Sequence, residues 1–103
     1  MKIIEELTNM IDEELGDAEK YARCALEKKE KYPMLAQTFY TLSNEELKHS
    51  NMLHDEAVRI INDFKAKGET VPEAMQAVYD YLHKKRISRT SDIKIMLEQF
   101  KTQ

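Results

Sequence analysis

Glu46-Leu47-Lys48-His49 places a carboxylate and an imidazole three residues apart, on positions where a helical face should be apolar. Leu35, Phe39, Leu42, Leu53, Ala57, Ile60 and Phe64 recur in steps mostly of four and three, the spacing of one side of an α-helix. The positions that continue this stripe between Leu42 and Leu53 are 46 and 49. An ionised carboxylate is costly to bury unless it is paired, protonated or bound to a metal. A Glu and a His in these places therefore suggest metal ligation. The structural alternative is a buried polar pair that fixes how two helices register.

Glu14 occupies the same kind of position in the preceding segment. Leu7, Ile11, Ala18, Tyr21 and Ala25 form a stripe with Glu14 inside it, while Glu13 points away and Asp17 lies at the edge. Gly16 costs about 1 kcal/mol relative to Ala in mid-helix, which suggests a close approach of helices beside the site.

Two long helices must position these groups. The first is predicted over residues 2 to 30 and the second from 33 to 66. Tyr32-Pro33 separates them, because the residue before proline is pushed out of the α region and proline suits a helix's first turn. Gly68 supplies the C-terminal stop. So short a connection makes the helices antiparallel neighbours, each spanning about 45 Å. With the turn centred near residues 31 and 32, positions whose numbers sum to about 63 lie level. Glu14 is then level with His49, and Glu46 lies one turn away, about 4.5 Å along the axis.

After residue 67, Thr70-Val71-Pro72-Glu73 has the form of a capping box, with Thr70 as N-cap and Glu73 at the third helical position. A third helix carrying Ala74, Met75, Val78, Tyr81 and Leu82 on one face is expected. Ser88-Arg89-Thr90-Ser91-Asp92 predicts a polar break before a short fourth helix with Ile93, Met96, Leu97 and Phe100. One kinked helix over residues 72 to 100 is the alternative, and Lys101-Thr102-Gln103 is expected to fray.

The composition is that of one soluble helical domain: 103 residues, 42% hydrophobic, 34% charged, with only two Gly and two Pro to interrupt helices. The fold class predicted is all-α, with residues 1–67 as a hairpin and 70–100 as one or two short C-terminal helices. Net charge of −3 with the signs interspersed offers no footprint for nucleic acid, and Lys84-Lys85-Arg86 with Arg89 is expected to be a solvated face. Apolar runs are too short for a membrane span, and the N-terminus lacks a signal-peptide core. The lone Cys24 excludes an internal disulfide and fits a reducing, cytoplasmic location. It is expected to pack rather than react.

A dinuclear centre of the di-iron or di-manganese carboxylate kind takes a Glu from each of two helices and a Glu-x-x-His from each of two others. Glu14, Glu46 and His49 make half of that set. Asp80-Tyr81-Leu82-His83 has the spacing but lies about 150° from the Val78/Leu82 face, so it should meet solvent or a partner. Glu98 does not continue the last helix's apolar face. The second half must come from another chain, and a two-fold homodimer supplies it.

Residues 10 to 66 resemble the rubrerythrin and ferritin-like superfamily. The stretch from Tyr32 to Phe39, then Leu42-Ser43-Asn44-Glu45-Glu46-Leu47-Lys48-His49, is similar to the rubrerythrin second helix. Glu14 followed by Tyr21 and Ala25 is similar to its first. The resemblance implies that Glu14, Glu46 and His49 are iron ligands, with Glu46 bridging. Beyond residue 67 the second Glu and second Glu-x-x-His are missing, as are the Cys pairs of a rubredoxin-type centre. The architecture is closer to encapsulated ferritins, whose two-helix subunits complete a ferroxidase site by pairing.

The expectation is thus a ferritin-like four-helix bundle completed by homodimerisation or higher self-association. It would hold two iron ions per dimer, manganese being the other metal suited to such ligands, and would bind or oxidise Fe(II). The alternative, from another class, is a metal-free helical dimerisation or adaptor protein. His54 is expected at the surface, Glu56 as a weak extra carboxylate, Tyr21 in the core or beside the metals, and the methionines as core filler.

Overall fold

Pro33 at the first turn and Gly68 beyond the last bracket the second helix as their backbone preferences require. In the computed structural model, which describes residues 2–102, α1 spans Lys2–Lys28, α2 Pro33–Ala66 and α3 Glu73–Thr102. Tyr32 is extended (φ −134°, ψ 69°), and its carbonyl accepts the Ala36 amide at 2.9 Å. Gly68 adopts φ +79°, the left-handed region that favours glycine, and its amide reaches the Lys65 carbonyl at 3.0 Å. The fold is all-α, and no strand occurs among the described residues.

The C-terminal third differs from expectation. Ser88 to Asp92 is helical, so the single-helix alternative is the one observed, and α3 runs for 30 residues rather than as one or two short helices. Nothing in the stretch forbids helix, and contacts on either side hold it there: Arg89 ion-pairs with α1 and Ile93 is buried. The helix also starts later than the capping box implied. Pro72 offers its carbonyl to the Gln76 amide at 3.0 Å, and Glu73 opens the first turn instead of closing it, with Thr70 outside the helix. Lys101 and Thr102 continue the helix; Gln103 and the side chain of Ala74 lie outside the described residues.

Small side chains bring α1 and α2 together. Ala18, Ala22 and Ala25 on α1 and Ala36, Ser43 and Ser50 on α2 are all essentially without exposure. Ser43 donates its hydroxyl to the Ala18 carbonyl at 2.7 Å, and Ser50 donates to the Leu47 carbonyl at 2.9 Å, so both buried hydroxyls are satisfied. Leu15, Leu47, Ile11, Ile93 and Leu97 complete the main core, and α3 enters it from the α1 side, touching α2 only sparingly. A second cluster at the hairpin tip joins Ala25, Ala36 and Phe100, with Tyr40 against the Phe100 ring at 4.9 Å. There Lys29 donates to the Phe100 carbonyl, tying the end of α3 to the turn.

The buried face is therefore rotated from the expected one. Ile11, Ala18, Ala25 and Ala57 are buried as predicted, but Leu7, Tyr21, Phe39, Leu42, Leu53, Ile60 and Phe64 are only half-buried and Leu35 is exposed. The small residues beside the large apolar stripe take the helix contact, because they allow the backbones closer. The molecule is a rod of 56 × 18 × 17 Å.

Candidate metal centre

Glu14 and the pair Glu46 and His49 face each other across the hairpin, with Glu14 level with His49 as the antiparallel register dictates. His49 Nδ1 lies 3.7 Å from Glu14 Oε2 and 3.6 Å from Glu46 Oε1. Both separations are too long for hydrogen bonds. They fall within the roughly 4.2 Å that two donors can span when each binds one ion at about 2.1 Å. One donor atom from each of the three residues lies within 4.8 Å of the others. Among the described residues, this is the one group of three or more carboxylate, imidazole or thiol side chains gathered so closely.

The site sits on the side of the hairpin turned away from α3. Gly16, over which Arg89 of α3 lies, is about 160° around α1 from Glu14. The Glu46 side chain is 18% exposed, Glu14 30% and His49 52%, so access increases toward the imidazole. Half-buried Tyr21, Phe39, Leu42 and Leu53 continue this face on either side. Tyr21 stacks on Phe39, ring centroids 6.0 Å apart. The result is three convergent ligand atoms in a lengthwise apolar ledge that the chain itself covers only in part.

Other sequence candidates fall elsewhere. Glu13, Asp17 and Glu98 are exposed, and Glu56 is exposed and paired with Arg59 at 3.1 Å, so it does not join the group. Asp80 accepts a hydrogen bond from Gln76 at 3.0 Å. Cys24 is a half-buried free thiol. Gly16 serves α3 rather than the metal group: the guanidinium of Arg89 crosses α1 there, 3.3 Å from Asp12 and 3.8 Å from Glu19.

Two expectations about the basic and histidine residues are corrected. Arg86 and Arg89 are not a solvated face, since Arg86 donates to Asn51 Oδ1 at 2.7 Å and Arg89 forms the pairs just given. His54 is not a free surface group, nor is His83 turned out to solvent, because the continuous α3 brings them within 3.2 Å of each other, Nε2 to Nδ1. The sequence signal that marks them is angular: His54 lies about 100° off the metal stripe, the direction in which a third helix must pack.

No helix among the described residues is long and apolar enough to cross a membrane. No protein-family model, no curated protein and no solved structure matches this chain.

Proposed function

We propose that the chain binds iron at Glu14, Glu46 and His49, and that a second copy of the chain completes a dinuclear carboxylate site. The convergence of these three donors on a half-covered face is the observation that carries this reading. Two carboxylates with one imidazole suit iron or manganese, whereas structural zinc takes more His and Cys. One chain offers too few ligands for two ions. Two chains paired through the ledge supply four carboxylates and two imidazoles at one height, and cover Phe39, Leu42 and Leu53 in doing so.

Glu46, the least exposed of the three, would hold the metal together with Glu14 and His49, the two carboxylates supplying most of the charge that stabilises a bound cation. The activity proposed is oxidation of Fe(II) by oxygen, in which two ferrous ions each give one electron and oxygen leaves with two protons as hydrogen peroxide. Binding without turnover uses the same ligands. The ferritin-like resemblance of residues 10 to 66 supports this choice of metal.

The test is metal content and melting temperature of protein prepared with and without Fe(II). A ligand bound only by the folded state stabilises it by about 2.7 kcal/mol at a hundred times its Kd, or roughly 10 °C or more for a domain of this size. Glu46→Gln and His49→Ala should lose both the metal and the shift. An unchanged melting temperature at saturating Fe(II) favours the adaptor reading, for which the exposed Val78, Tyr81, Ile87 and Ile95 of α3 are the relevant observation.

A further inference from the structure

The two halves of α3 are fastened to the hairpin by different means. From Ile93 onward the inner residues are shielded, Ile93 being 1% exposed, Leu97 5% and Phe100 8%. Among the described residues from 73 to 86, no side chain reaches that depth, and Val78 and Tyr81 are mostly exposed. Much of what holds this first half is polar. His54 Nε2 and His83 Nδ1 are 3.2 Å apart, with the rings inclined by 17° and their centroids 5.0 Å apart. Tyr79 lies nearly parallel to His83, centroids 5.9 Å apart, and Arg86 donates to Asn51 one turn further on. Thr8, Ile11 and Asp12 of α1 close over these groups, leaving a cavity of about 20 Å³, room for about one water.

Such an imidazole pair accepts one extra proton but not two. With both rings neutral, one N–H meets one lone pair. A single added proton leaves that arrangement intact and makes the bond charge-assisted. A second puts hydrogen on both facing nitrogens, and attraction becomes repulsion. We propose that His54 and His83 form a proton-sensitive latch that holds residues 73–86 of α3 against the hairpin and releases them when both rings are charged.

Every helix contributes charge here. From α3, Arg86 opposes a second cation, and burial raises the Tyr79 phenol above its ordinary value, so it stays neutral in acid. From α2, Asp55 Oδ1 sits 3.9 Å from His54 Nδ1 and favours the charged ring. From α1, Asp12 lines the cavity but is engaged by Arg89 at 3.3 Å. Burial first, then Arg86 and His83, outweigh Asp55 and lower His54 from its ordinary 6.5. The released helix thus binds more protons than the docked one. Docking is fully favoured above pH 6.5 and weakens as the pH falls through the lowered value.

The latch does not depend on metal binding, and its test uses the full chain with chelator present. Amide exchange, corrected for the intrinsic rate, is compared between about pH 7.5 and about pH 5. Residues 75–86 should lose protection by about tenfold while residues 93–102 keep theirs. His54→Gln should abolish the pH response, His83→Gln should reduce it, and His49→Gln should retain it. Ring-carbon NMR of the wild-type chain gives a readout free of substitution: His54 should titrate below 6.5. Loss of protection along all of α3 at once, the same pH response in His83→Gln, or a His54 ring that titrates at 6.5 or above would overturn the proposal.

Discussion

Glu14 shows what a residue's type and place can tell when its neighbours are known only as a string. A carboxylate inside an apolar stripe is a local inconsistency, and the hairpin register turned that inconsistency into a prediction that Glu14, Glu46 and His49 meet. They do, within 4.8 Å. Gly16 carried the opposite lesson. Its cost in a helix was visible, but its use, leaving bare backbone beneath Arg89, depends on a side chain 73 positions away. A methyl group there would meet the guanidinium at 3.8 Å, an ordinary contact. Gly16→Ala should therefore stabilise the chain by about 0.5 to 1 kcal/mol through helix propensity, read as a raised urea midpoint at unchanged slope. A lowered midpoint would mean that Arg89 needs more room than this contact implies.

At the scale of elements, the hairpin was legible because its ends carry strong local signals, Tyr32-Pro33 and Gly68, and α2 begins and ends where those signals put it. Which face of each helix is buried was less legible. Hydrophobic spacing finds large apolar residues, whereas Ala22, Ala36, Ser43 and Ser50 make the contact because they are small and so carry little hydropathic weight. The continuity of α3 was hidden for a related reason: Ser88 to Asp92 is polar, and its helical state rests on Arg89 and Ile93 reaching partners far away in sequence. The helix's uneven anchorage has a measurable consequence. Ile93→Ala should cost about 2 to 4 kcal/mol of folding stability, while Val78→Ala, in the loosely held half, should stay within about 0.5 kcal/mol. Equal costs in denaturant titrations would contradict the division of α3 into two differently held parts.

For the whole molecule, the radius of gyration of 16.5 Å exceeds the roughly 13 Å of a compact domain this size, so much apolar surface stays near water. Pairing through the ledge would relieve that, and it ties association to metal. Without ions, four carboxylates brought to one height repel. Sedimentation equilibrium over a range of protein concentrations should therefore show tighter dimers with Fe(II) than with chelator. Glu46→Gln should weaken the metal effect while tightening the metal-free dimer. A chain that stays monomeric while binding two ions would defeat the shared-site proposal. The rod shape bears on how such association can be seen at all. A body about three times as long as it is wide drags like a larger sphere, so one chain will leave a gel-filtration column earlier than its 12.1 kDa warrants. Two rods lying side by side double the thickness without adding length. The pair is rounder than either member, and it will tumble and diffuse as though it had gained less mass than it has.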